Sequence, residues 1–262
     1  MKSTASVLLA LLALFCFANC GPSVQTMKDS GDYDGAINRS LDKLVGKGKK
    51  NPRHVADLES AFNKANASDL ERAKRMKSGG TTLWTRVHSV YDGIDRRQEK
   101  VRPLVPLVDK DGREASLNFI QVAPLLNEAA GKAAAQLYEE GTRLLDQGRR
   151  GNKEAARGAW DAFESIGRYQ ANYKDTDRLQ QEASDLGTLY ITVETKNESG
   201  AFLPRGFNER LLAIRASDMD DRWRVFDANR QAGWEYDYIA RITIQDIQVS
   251  PERSQERQYI DE

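Results

Sequence analysis

Trp84-Thr85-Arg86-Val87-His88-Ser89-Val90-Tyr91-Asp92-Gly93-Ile94-Asp95-Arg96-Arg97-Gln98-Glu99-Lys100-Val101 carries the clearest periodicity in the chain. Trp84, Val87, Tyr91, Ile94, Gln98 and Val101 recur at alternating steps of three and four, which lays one continuous stripe along a helix. Such a seam has to be covered by another helix, so the spacing predicts helix-on-helix packing. Pro103 ends the pattern.

Upstream, Ile37, Leu41 and Leu44 form one helical face that opens near Gly31, and Gly46-Lys47-Gly48-Lys49-Lys50-Asn51-Pro52 breaks it. Pro52 suits the first turn of the next helix, whose stripe is Val55, Leu58, Phe62 and Ala65. Ser68-Asp69-Leu70-Glu71 has the form of a capping box, so a fresh helix or a kink is expected there. Downstream, Leu104 to Val108, the pair Asp111-Gly112 and Ala115 to Ile120 predict a small hairpin over 104–120. Helices return from Pro124, with stripes through Ala134, Leu137, Tyr138, Gly141, Leu144 and Leu145, then Ala156, Ala159, Trp160, Phe163 and Ile166, then Leu179, Ala183 and Leu186. A glycine inside a helix costs about 1 kcal/mol relative to alanine, so Gly141 implies a close approach by a neighbouring helix.

At Thr188 the period changes from 3.6 to 2. Leu189, Ile191 and Val193 alternate with polar residues as a strand, Pro204 to Ile214 reads as a helix, and Arg222 to Phe226 and Tyr236 to Ile244 read as two more strands. Ile247 and Val249 fall on the opposite phase, which suggests a bulge near Asp246. A charged tail follows Pro251, and its stop at Glu262 leaves open a longer reading frame. The fold class expected is therefore mainly α, as repeat-like helical hairpins over 31–187, followed by a small β-α-β-β module over 188–262.

The N-terminus speaks to location. Lys2, the apolar run Val7 to Ala18 and the small-residue exit at Asn19-Cys20-Gly21 read as a secretory signal over residues 1–19. The run has about 12 residues where a bilayer crossing takes about 20. Phe17-Ala18-Asn19-Cys20 resembles the lipobox of bacterial lipoprotein precursors, matching at Ala18 and Cys20 and departing at Phe17 and Asn19. That resemblance implies lipidation of Cys20 and a tether over 20–30, with ordinary secretion as the alternative. Both cysteines, Cys16 and Cys20, lie in this segment, so the body has no disulfide to stabilise it.

Gly31, Tyr33, Ala36 and Ile37, and again Leu137, Gly141, Leu144, Ala159, Phe163 and Tyr173-Lys174-Asp175, resemble tetratricopeptide repeats. The match departs at the connection Gln147 to Lys153, which reads as too long, and in lacking the terminal proline. The β-α-β-β order loosely resembles the small α/β domain of envelope lipoproteins in curli secretion and cell-wall-synthase activation. Together these resemblances imply an outer-membrane lipoprotein with its body facing the periplasm and other envelope proteins as partners.

Lys plus Arg equals Asp plus Glu at 39 each, which disfavours a nucleic-acid partner. The only histidines, His54 and His88, lack partners at catalytic or zinc spacing. Gly46 to Lys50 lacks phosphate-loop spacing, and Asp109 to Gly112 lacks the outer ligands of a calcium loop. Arg96 to Arg102 reads as a solvated face. Paired acids such as Asp218 and Asp220 are too common to single out. No catalytic residue, metal site or cofactor is expected. The contact surface expected is Trp234, in a Gly-flanked loop, with Trp223. The function expected is a non-catalytic, lipid-anchored interaction scaffold. The alternative is a glycan- or peptide-binding protein using Trp223, Trp234 and acids such as Asp237.

Overall fold

A computed structural model of the chain describes residues 22–207, 216–228 and 230–248. The signal segment with Cys20, most of the expected helix ending at Ile214, Val249 and the charged tail lie outside the described residues. The fold is mainly α with a small parallel sheet near the C-terminus. Seven helices are described: α1 (Val24–Asp29), α2 (Tyr33–Leu44), α3 (Pro52–Ser78), α4 (Trp84–Val101), α5 (Val122–Arg149), α6 (Lys153–Ile166) and α7 (Thr176–Gly187). Three strands follow: β1 (Leu189–Asn197), β2 (Arg224–Asp227) and β3 (Tyr238–Ile244). The chain divides into two compact units, residues 1–136 and 137–262, and the division falls inside α5.

In the first unit, α2 packs on α3 and α3 on α4. One core gathers Ile37, Leu44, Val55, Leu58, Phe62, Val101 and Leu107; a second gathers Ala73, Val87, Tyr91, Ile94, Val122 and Ala129. The seam of α4 is thus buried from Val87 to Val101, and Trp84 closes its end under Lys132, 4.2 Å from the ring centroid. Three expectations are corrected here. Residues 24–29, expected as tether, form α1, capped by Ser23 and held to α3 by Lys28–Asp57 at 2.7 Å. α3 runs unbroken through Ser68, so no fresh helix starts there: the helix already propagating from Pro52 leaves the Ser68–Glu71 box no free N-terminus to cap.

The third concerns the hairpin over 104–120. Only one antiparallel bridge forms, Val108 to Glu114, around a turn in which Asp109 Oδ1 accepts the N–H groups of Asp111 and Arg113. The following segment is held by side chains where a partner strand was expected. Asn63 pairs with the Asn118 N–H and the Ser116 carbonyl, Asn66 donates to the Asn118 carbonyl, and the buried Gln98 amide bonds both the N–H and the C=O of Ile120. Amide side chains satisfy the backbone groups that a strand partner would have taken.

In the second unit, α5 and α6 are joined by residues 150–152 alone, so the connection expected to be long is short. Gly151 adopts φ +92° in that turn. A Cβ on Gly148 would lie 2.8 Å from the Ala156 Cβ, and one on Gly141 would lie 2.6 Å from Phe163 Cε1. Small residues are therefore what let α5 and α6 approach. α7 packs back on α6, and the sheet follows in the order β2-β1-β3, all parallel. β1 is central, pairing Ile191 with Phe226 on one side and Val193 with Ala240 on the other. The expected bulge near Asp246 is instead the end of β3: Asp246 Oδ1 accepts the Ile247 N–H, turning the chain away.

Candidate interaction surface

The C-terminal sheet brings together most of the residues singled out in the sequence. Trp234 stands 47% exposed and edge-on to Tyr190 of β1, with ring centroids 5.3 Å apart. Asp237 lies between that pair and α6: its Oδ2 accepts the Tyr190 N–H at 2.8 Å and meets Lys153 Nζ at 3.2 Å. Lys153 also donates to the Thr188 carbonyl. One helical turn on, Arg157 donates Nε–H to the Gly187 carbonyl and lies over the Trp223 ring.

Trp223 is half-buried and meets the Trp160 ring edge-on, with centroids 5.9 Å apart; the Arg222 guanidinium covers Trp160 at 3.9 Å. A Cβ on Gly187 would lie 3.0 Å from the Trp223 ring and from Arg157 Cγ, so a side chain there would press on both. Arg222, Trp160, Trp223 and Arg157 thus interleave cations and rings, a geometry worth about 0.5–2 kcal/mol per pair. The consequence for the two tryptophans differs. Trp223 is committed to docking the approach to β2 against α6, and Trp234 retains a free face.

The acids around the sheet are largely occupied. Asp220 accepts the Phe226 N–H, and Asp221 accepts the Trp223 N–H and pairs with Arg224, which holds its carboxyl below the usual range. Asp227 accepts from the Tyr236 hydroxyl. Beside these anchored groups, β3 forms one edge of the sheet among the described residues. Tyr238, Ile239 and Ile242 are all exposed along it, and Arg241 at its centre pairs loosely with Glu194 at 3.6 Å. Parallel strands are normally covered on both faces, so exposed isoleucines on one are unusual.

A second cluster, in the first unit, was not legible in the sequence. Arg97, read there as part of a solvated basic face, is 6% exposed. Its guanidinium donates to both Asp34 carboxylate oxygens at 2.7 and 3.1 Å, to Asn66 Oδ1 at 2.9 Å and to Asp69 Oδ2 at 2.7 Å. The hydrogen bond from Arg97 holds the Asp34 carboxyl below its ordinary value. Burial opposes the charge on Arg97, and its bonds to Asp34 and Asp69 more than offset that, leaving its pKa raised. A hollow of about 190 Å³ opens beside the cluster, lined by Asp34, Asp69, Arg72 and Arg97 among others. All the guanidinium's partners are internal, so this cluster is a staple across α2, α3 and α4.

The remaining candidates are placed as follows. Gly46 to Lys50 is a loop after α2, and His88 is half-buried in α4. His54 lies in the first turn of α3, its Nδ1 buried without a hydrogen-bond partner among the described residues. No group of three or more His, Cys, Asp or Glu positioned to hold a metal ion occurs among the described residues. Compared with protein-family models, with characterised proteins and with solved structures, the chain matches none.

Proposed function

We propose that this protein is a lipid-anchored envelope protein, tied to the outer membrane through Cys20 with its body in the periplasm. In this reading it acts by holding another envelope protein and catalyses nothing. Repeat-like helical hairpins form its scaffold, and β3 receives an extended segment of the partner as an added strand. One observation carries the reading: an edge strand of seven residues leaves Tyr238, Ile239 and Ile242 exposed beside Trp234. Strand addition supplies the missing backbone partners and covers alternate side chains. Arg241 in the middle of the strand guards against edge-to-edge pairing of two copies, a common use of charge on exposed edges.

A photo-crosslinking residue at Ile239 in the anchored protein tests this. A single reproducible protein adduct is expected, lost when Tyr238→Asp and Ile242→Asp are introduced together. No adduct, or one unchanged by those substitutions, would remove the basis for the proposal.

The exposed face of Trp234 beside Tyr190 favours a second reading, a glycan- or peptide-binding protein. Glycan-array binding abolished by Trp234→Ala would select it. Asp237 contributes less to that reading than its position suggests, being engaged by Lys153 and the Tyr190 N–H.

A further inference from the structure

The parallel register fixes which groups of β3 remain free. The Glu198 N–H donates to the Ile244 carbonyl at 2.8 Å, and Ile244 lies across from Asn197. Backbone groups reverse direction from one strand residue to the next, so Tyr238, Ala240, Ile242 and Ile244 bond to β1. The N–H and C=O of Ile239, Arg241 and Thr243 therefore point to the open edge among the described residues. The side chains of these three share one face, beside Thr192, Glu194 and Lys196 of β1. Arg241 is the middle one. Its side chain is 53% exposed, makes no hydrogen bond among the described residues and meets Glu194 only at 3.6 Å. The opposite face carries Tyr238, Ala240 and Ile242 beside Ile191 and Val193 and is apolar.

We propose that the segment received by β3 carries an acidic residue across from Arg241, with an apolar residue on either side of it. This rests on the reading of β3 as a receiving strand and adds the chemistry of what it receives. Whether the added strand runs parallel or antiparallel, the residue across from Arg241 lies about 5 Å away and directs its side chain to the same face. A carboxylate there completes a row across three strands, Glu194, Arg241 and the acid, in which the charges alternate. The guanidinium suits the middle of such a row, because separate nitrogens of its planar fork face the two carboxylates. A lysine in that place meets Arg241 as a like charge, and an uncharged residue covers the guanidinium without using its donors. The residues before and after the acid point to the other face, where apolar side chains take the exposed Tyr238 and Ile242 out of water. The same charge disfavours a second copy, since antiparallel pairing of β3 with itself about Arg241 sets two guanidinium groups opposite each other.

The test uses the full chain and seven-residue peptides of alternating valine and threonine with glutamate, glutamine or lysine at the centre. Amide hydrogen exchange at Ile239, Arg241 and Thr243 reports strand addition, and the order of affinities reports the charge, so the two readings fail separately. The glutamate peptide is expected to protect those three amides and to bind roughly tenfold more tightly than the lysine peptide. Arg241→Gln should bring the glutamate and glutamine peptides level, and Arg241→Glu should reverse the order. Protection with equal affinity for all three peptides, or a preference for glutamate that survives Arg241→Gln, overturns this inference and leaves strand addition standing. No protection by any peptide overturns both. Protection that rises with protein concentration alone marks a second copy as the occupant and overturns the inference.

Discussion

A methyl group placed on Gly141 sets helix propensity against packing, and the structure decides which prevails. Inside a helix, alanine is favoured over glycine by about 1 kcal/mol. The added Cβ at Gly141, however, would sit 2.6 Å from Phe163 Cε1 and 2.9 Å from Cδ1 and Cζ. Phe163 is 1% exposed and meets Tyr138 at 6.1 Å between centroids, so the ring has little room to retreat. Overpacking of this kind costs about 1–3 kcal/mol. Gly141→Ala is therefore expected to lose about 1 kcal/mol net, measured by urea denaturation followed by circular dichroism. Gly131 in the same helix is the control: nothing lies within 4 Å of its built Cβ, so Gly131→Ala should gain close to the full propensity term. In a Phe163→Leu background the cost of Gly141→Ala should shrink, because the clashing ring is gone. If Gly141→Ala stabilises the protein as much as Gly131→Ala does, the inference that glycine is there to admit Phe163 is wrong.

Three other expectations follow from the buried polar groups. Arg97→Leu should cost about 3 kcal/mol in chemical denaturation, at the low end for breaking a buried pair. The reason is that Asp34 is 64% exposed and Asp69 keeps Arg72. Arg97→Lys should recover only part of that loss, since three donors on one nitrogen replace a planar fork that makes four bonds from three nitrogens. Because Arg97 holds the folded-state pKa of Asp34 below its unfolded value, the pair stabilises the fold above about pH 4 and its contribution is lost as pH falls further. Denaturation midpoints measured downward from pH 5 should show this fall, and Asp34→Asn should flatten it. Gln98→Leu strands the N–H and C=O of Ile120, at about 1–3 kcal/mol each if neither reaches water. Faster amide exchange at Ile120 would locate the damage.

The helices were legible because their signal is local. Val87, Tyr91, Ile94 and Val101 repeat at helical spacing and are buried, and Gly141 announced a crossing that the Phe163 ring fills. The change of period at Thr188 marked the sheet for the same reason. What escaped the sequence depends on residues far apart in the chain. Arg97 looks solvated until Asp34, 63 positions earlier, and Asp69, 28 positions earlier, are seen against it. The Ser68 capping box has the right residues, yet its helix is already propagating from Pro52 and leaves no free N-terminus there to cap. Residues 115–120 carry a strand-like pattern, and their extended backbone is satisfied by Asn63, Asn66 and Gln98, a pairing that no local rule foresees. The short α5–α6 connection escaped because its flanking residues, Gln147 to Arg149, continue the helix.

The proposed interaction surface rests on which polar and aromatic groups are already engaged within the chain. In the helical first unit, Arg97, Asn66, Asp69 and Gln98 all bond inward, and the ring of Trp84 lies under Lys132. In the second unit, Trp160 and Trp223 lie against each other under Arg222 and Arg157, and Asp220, Asp227 and Asp237 hold backbone or tyrosine groups. The first unit exposes Val45, Leu83, Val105, Val108 and Phe119; left over in the second are the free face of Trp234, the exposed Tyr238, Ile239 and Ile242 of β3, and the exposed Phe202. Each exposes apolar area whose burial against a partner is favourable at about 25 cal/mol per Å². Those of the second unit sit on the same three-stranded sheet or on the loops that leave it. The exposed apolar side chains of β3 and of Trp234 are what support the proposal that a partner is held at the sheet.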